Sequence, residues 1–192
     1  MLILLSGPNN SGKSLFAEKI ASGLPGDRFY IATMRPCTDD NVRRIAKHRR
    51  QRSGLGFRTL ECPYRVGDAP VSKGSAARPE GAPIGDAPVS PGCVVLLEDV
   101  SNLLGNVLFE RGGSVRDVLE DILQLRDRCS VLIAVTISGL LPDGYDEETA
   151  GYIGGLNEIN GELLALADVA VEMREQVPVC VKGNLCSLGV SV

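Results

Sequence analysis

The chain has 192 residues, 44% of them hydrophobic and 4% aromatic, with a formal net charge of −4. That is apolar material for one sizeable core, and the acidic balance excludes a protein whose whole surface binds nucleic acid. No apolar run reaches membrane-spanning length, the amino-terminal run lacks the length and basic flank of a secretory signal, and six cysteines are scattered without a C-x-x-C pair; reduced core thiols in a cytoplasmic protein are the expectation, without a disulfide framework or zinc site.

Leu2-Ile3-Leu4-Leu5 reads as a buried strand, and a helix is expected from Leu15. Between them stands Gly7-Pro8-Asn9-Asn10-Ser11-Gly12-Lys13-Ser14, the G-x-x-x-x-G-K-S pattern of a phosphate-binding loop in its required setting of strand, loop and helix N-terminus. Glycines let the backbone curl so that successive N–H groups point inward, and the helix dipole adds its positive end. Lys13 is placed to reach the outer phosphates of a nucleoside triphosphate, and the Ser14 hydroxyl to ligate magnesium.

The first helix should stop near Gly23-Leu24-Pro25-Gly26, and Arg28–Thr33 reads as a second strand. A strand–helix–strand succession of this length is a right-handed crossover, so the two strands should be parallel. Ligands of open parallel sheets sit at the carboxyl ends of the strands, which brings Thr33 and Met34 out beside the phosphate loop.

Thr38-Asp39-Asp40 reads as a cap for a helix from Asn41 to about Arg52. At 100° per residue Val42, Ile45, Ala46 and the stem of Arg49 share one side, and Arg44, His48 and Arg52 another. His48 is the chain's one histidine. Two readings stand: a solvated basic helix, or a cluster that handles the triphosphate, with His48 as nucleophile or acid–base group.

Phe57–Cys62 reads as a third strand. From Pro63 to Gly92 the composition shifts to Gly, Pro, Ala and Ser, and Gly67-Asp68-Ala69-Pro70-Val71-Ser72 recurs as Gly85-Asp86-Ala87-Pro88-Val89-Ser90, which reads as a mobile surface insert with little to bury. Cys93–Asp99 is an apolar strand ending in carboxylates. Glu98, with Asp99 next, is either a polar strand cap or, beside a phosphate loop, the acid that orders magnesium or its waters. Two amphipathic helices, Ser101–Glu110 and Val115–Arg128, a buried strand Ser130–Thr136, a long helix Glu147–Ala167 and a hairpin-like pair, Val169–Met173 and Pro178–Lys182, complete a single domain over 1–192 with an insert at about 63–92. The fold class expected is α/β: a P-loop NTPase-like (RecA-like), mostly parallel sheet with helices on both faces, ending in an antiparallel strand pair.

These pieces in this order resemble the bifunctional adenosylcobinamide kinase / adenosylcobinamide-phosphate guanylyltransferase family of late cobalamin biosynthesis. The residues that carry the likeness are Ser11-Gly12-Lys13-Ser14 with Ala17-Glu18; Tyr30-Ile31-Ala32-Thr33; Arg44-Ile45-x-x-His48-x-x-x-Arg52; Arg58-Thr59-x-Glu61; Leu96-Leu97-Glu98 with Asn106; and Asn160 ahead of Ala167-Asp168. The resemblance implies two activities at one site, with ATP and GTP as substrates and Mg2+ as cofactor. As kinase, Lys13 and magnesium held by Ser14 and Glu98 would assist phosphoryl transfer to the aminopropanol hydroxyl of adenosylcobinamide. As guanylyltransferase, His48 would attack the α-phosphorus of GTP and pass GMP to adenosylcobinamide phosphate. Nucleotide contacts are implied at Ala32, Thr33, Met34, Arg49, Arg50, Gln51, Arg52 and Glu61, and a homotrimer is implied as the assembly.

The chain departs from that family at several points. Pro8 and Asn10 stand where Gly and Arg are common, Ser53 where a proline follows Arg52, Ile137-Ser138-Gly139 where an Asn-Glu-Val-Gly block follows the strand, and Ile153-Gly154 where Arg-Asp would be. The nucleotide half is kept better than the second-substrate half. The alternative is a diverged P-loop nucleotide-binding protein or small-molecule kinase without cobinamide activity.

Overall fold

The structure is a computed structural model that describes residues 1–71 and 92–185. Seven strands form one sheet: β1 (Leu2–Ser6), β2 (Asp27–Ala32), β3 (Phe57–Glu61), β4 (Cys93–Glu98), β5 (Val131–Val135), β6 (Val169–Arg174) and β7 (Val177–Lys182). Their order is β3-β2-β4-β5-β1-β6-β7. All neighbouring pairs are parallel except β6 and β7, the antiparallel pair expected at the end of the chain. β1 and β4 are not neighbours: β5 lies between them, pairing Leu4 with Ala134 on one side and Leu97 with Ala134 on the other.

Among the described residues five helices connect the strands: α1 (Lys13–Gly23), α2 (Asp39–Gln51), α3 (Val100–Arg111), α4 (Val115–Arg128) and α5 (Glu147–Leu166). On one face Phe16, Ala17, Ile20 and Ala21 of α1 pack on Ile3, Leu5, Leu96 and Ile133. On the other, α3, α4 and α5 bring Leu103, Leu104, Ile122, Leu156 and Ile159 onto Leu2, Leu4, Leu97 and Leu132. The central strands are apolar on both faces because both faces are covered. Each fully buried Leu or Ile contributes about 1.5–3 kcal/mol.

Two helices begin earlier than their sequence signals: α1 at Lys13, directly after Gly12 in a left-handed conformation, and α2 at Asp39, where Thr38 alone is the cap, its side chain accepting from Asn41 N–H at 3.1 Å. Residues 66–71 depart from the reading of a surface insert. Val66, Ala69 and Val71 are buried in the larger core, and the 3₁₀ turn Val66–Asp68 is tied down by Gly67 N–H donating to Asp121 Oδ1 at 2.8 Å. Three small apolar side chains suffice because α4 presents an apolar stripe to receive them. The second copy of the hexapeptide lies outside the described residues. Cys37 and Cys180 are exposed while Cys93 and Cys129 are buried, so the cysteines are not all core thiols, and Cys186 lies outside the described residues.

Candidate nucleotide site

The phosphate loop leaves β1 at Ser6 and enters α1 at Lys13. Gly12, at φ 85°, offers no side chain to cap α1, and the first turn holds no acidic residue, so the first N–H groups of the helix face the loop without a carboxylate competing for them. Gly7 sits at φ +144°, and a Cβ there would stand 2.7 Å from the Met173 carbonyl oxygen of β6. The loop therefore lies against the sheet at a spacing that only glycine permits. Lys13 Nζ donates to the carbonyls of Gly7 at 3.0 Å and Pro8 at 2.6 Å, closing the loop on itself. Burial pulls the Lys13 ammonium below its usual range, and Asp99 and Glu98 oppose that pull.

At the end of β4, Glu98 Oε1 accepts from Ser14 Oγ at 2.5 Å, while its Oε2 is buried with no partner among the described residues. Burial first, then the neighbouring Asp99, pushes the Glu98 carboxyl up to about 8. A carboxylate and a hydroxyl side by side, one oxygen lacking a partner, form the hard-oxygen donor set that suits magnesium, which keeps water and phosphate as its other ligands. Magnesium fits these two residues.

Thr33 and Asp99 tie the strand ends together. Thr33 is fully buried; its hydroxyl lies 2.9 Å from the carbonyls of Glu98 and Asp99 and accepts the Asp99 N–H at 2.8 Å. It ties the end of β2 to the turn that carries the carboxylates and does not line the cavity. Asp99 caps α3, its Oδ1 accepting from Ser101 Oγ at 2.5 Å and Asn102 N–H at 2.7 Å. Asn106 then bridges the carbonyls of Thr33 and Pro63, at 2.9 Å each. On the opposite side of the loop Asn160 donates to the Ile137 carbonyl at 2.8 Å and Ser138 N–H donates to the Gly7 carbonyl at 3.1 Å.

A cavity of about 1030 Å³ opens above these strand ends. Asn9, Asn10, Ser11, Gly12, Lys13 and Ser14 line it from the loop, Ala32 from the end of β2 and Met34 just beyond it, and Glu61, Glu98 and Asp99 from the neighbouring strand ends. Helix α2 covers the far side with Arg44, His48, Arg49, Arg50, Gln51 and Arg52. The one histidine and the phosphate loop thus face the same space. Gly7 and Pro8, which shape the loop's base, do not line it.

His48 is half-buried, with Nδ1 lacking a partner among the described residues. Burial lowers its pKa from 6.5, and Arg52, Arg44 and Lys47 lower it further against a small opposing pull from Asp99. The imidazole is neutral at pH 7, the form with a lone pair to give. Arg49 pairs with Glu61 in an exposed contact, so these two predicted contacts neutralise each other at the rim. Tyr30, Asp40 and Asn102 also line the cavity; in the sequence Tyr30 stands in the Tyr30-Ile31-Ala32-Thr33 motif and Asp40 in the cap of the second helix, while Asn102 carries no motif.

The family model for cobinamide kinase / cobinamide phosphate guanyltransferase matches residues 3–139. The chain belongs to this family. The match takes in every predicted site residue, from the phosphate loop through His48 to Glu98, and ends at the departure after β5. No curated protein matches the chain. Among solved structures, one described as a prototypical ATPase from the type III secretion system of pathogenic bacteria is similar at a TM-score of 0.50 and 14% identity, over 91% of this chain and 51% of that one. The chain thus spans about half the length of that ATPase, and at this identity the likeness shows the fold alone. Among the described residues no helix is long and apolar enough to cross a membrane.

Proposed function

We propose that the protein phosphorylates adenosylcobinamide and transfers GMP from GTP to adenosylcobinamide phosphate through a guanylylated His48. The observation that carries this reading is the single cavity lined by both the phosphate loop and His48. In the nucleotidyl step, the neutral imidazole attacks the α-phosphorus of GTP. A nitrogen–phosphorus bond forms, the bond to the bridging oxygen breaks, and pyrophosphate leaves with the electron pair. The substrate phosphate then attacks the same phosphorus and returns the electron pair to the imidazole. Lys13 and the loop N–H groups hold the phosphates and spread the developing charge. Burial first, then Arg52, Arg44 and Lys47, keeps the imidazole unprotonated, and Arg44 stands ready for the phosphate oxygens.

In the kinase step Lys13 and the loop stabilise the moving γ-phosphoryl group, which passes from ATP or GTP to the substrate hydroxyl. Magnesium, when bound at Ser14 and Glu98, supplies further neutralisation of phosphate charge. The reading extends to a homotrimer, which the family resemblance implies, of single-domain chains in the cytoplasm, which the scattered cysteines suggest.

One observation favours a second reading, a small-molecule kinase or nucleotide-binding protein without cobinamide activity. Ile153, where the family resemblance implies an arginine, is buried, and Gly154 has open space around it, so α5 brings no cation to a second substrate here. Incubation with α-labelled GTP and magnesium separates the readings. Acid-labile label on the denatured chain, lost in His48→Ala and chased by cobinamide phosphate, supports the guanylyltransferase. Transfer from γ-labelled nucleotide to cobinamide without chain labelling leaves a kinase alone.

A further inference from the structure

Helix α2 carries His48, yet none of its own residues is buried. A helix without an apolar footing is held by its ends and its polar contacts, and these gather at its carboxyl end. Gln51 Nε2 donates to Glu18 Oε2 at 3.2 Å. Arg52, 6% exposed, lays its guanidinium 3.3 Å from the centre of the Tyr30 ring. The other tie from this end is the exposed Arg49–Glu61 pair, a kind of contact worth little. At the amino end Asn41 reaches back only to the Arg35 carbonyl of its own loop.

Glu18 is 3% exposed and belongs to α1, one turn beyond Ser14. Its neighbours on that helix, Phe16, Ala17, Ile20 and Ala21, are core residues, and Glu18 Oε1 has no partner among the described residues. A buried carboxylate is costly where an apolar side chain of similar volume would pack without desolvation. Packing therefore does not explain it. What it does have is the Gln51 amide on Oε2, with the Arg52 guanidinium, whose Nε and Nη1 have no hydrogen-bond partner among the described residues, adding a favourable charge nearby without an ion pair.

We propose that Glu18 is a positioning residue that grips the Gln51–Arg52 end of α2 and so holds His48 over the phosphate cradle. Glu18 does not line the cavity and acts only through these two side chains. The kinetic part of the test rests on the reading of His48 as nucleophile; the other part does not.

The variants are Glu18→Leu, which removes acceptor and charge, and Glu18→Gln, which keeps an acceptor for Gln51. Because His48 is the chain's one histidine, its reaction with diethyl pyrocarbonate reports its surroundings without any need for activity. That rate should rise severalfold in Glu18→Leu and less in Glu18→Gln. At saturating GTP, single-turnover labelling of the chain should slow about tenfold or more in Glu18→Leu, while GTP affinity, measured without magnesium, stays within about twofold. Unchanged pyrocarbonate reactivity in both variants, with or without a loss of thermal stability, overturns the proposal. If the parent chain takes up no label, the nucleophile reading fails and the pyrocarbonate rates still decide the role of Glu18. If Glu18→Leu does not fold, Glu18→Gln decides by the same measurement.

Discussion

Replacing Gly7 by alanine tests how the phosphate loop is held to the sheet. The new methyl would stand 2.7 Å from the Met173 carbonyl oxygen, 3.1 Å from Met173 Cβ and 3.1 Å from Ser11 Oγ, on a backbone at φ +144°. Met173 pairs with Pro178 of β7, and its neighbour Glu172 pairs with Ser6 of β1, so its carbonyl has little room to yield. Backbone strain of this kind costs on the order of 1–3 kcal/mol, and overpacking adds about 1–3. Gly12 is the control. Its φ of +85° is also left-handed, but a methyl there meets only Met173 Cε at 3.7 Å, ordinary contact. Gly12→Ala should therefore cost about 1–2 kcal/mol, from the backbone alone. Urea unfolding followed by circular dichroism measures both, since the chain has no tryptophan to report. The expected order is parent, Gly12→Ala, Gly7→Ala, with Gly7→Ala also losing GTP affinity. Equal midpoints for the two variants, or a Gly7→Ala midpoint at the parent's, would refute the close-approach argument.

Three further outcomes are expected. The imidazole must be neutral to attack, and its pKa is lowered, so chain labelling by GTP should hold steady down to pH 6.5 and fall only at more acid pH; a limb centred above 6.5 would contradict the burial of the ring and the field of Arg52, Arg44 and Lys47. Thr33→Val keeps the shape and removes the hydroxyl that binds the Glu98–Asp99 turn, which should cost about 1–3 kcal/mol in denaturant unfolding; a neutral substitution would show that the turn holds without it. With the Glu98 carboxyl pushed up to about 8, it carries its proton at pH 7, and magnesium binding should release that proton. Calorimetry in buffers of differing ionisation enthalpy should detect the release in the parent and not in Glu98→Gln; identical traces would remove Glu98 from the metal site.

The loop, its strand and its helix were legible because glycine, lysine and serine at fixed spacing admit few other uses. The antiparallel close was legible from two short apolar runs on either side of a polar break at Glu175 and Gln176, both left-handed in the structure. Strand order was not: nothing local to Ser130–Thr136 says that it slots between the strands of Ser6 and Glu98. Residues 66–71 were misread because composition counts apolar residues without seeing the α4 surface that receives them. Thr33 was expected at the ligand because strand ends point there, but its side chain falls on the inner face of the turn. The apolar side seen on α2 found no core to join, Val42 remaining 49% exposed, since the helix spans the mouth of the cavity and has no sheet beneath it.

Phosphorus NMR of the isolated protein after reaction with GTP and magnesium addresses the central claim directly. The account predicts one phosphoramidate resonance, correlated to the ring protons of the chain's one histidine and abolished by adenosylcobinamide phosphate. A protein that binds GTP in the cavity yet shows a free imidazole, or nucleotide attached to another residue, would contradict it.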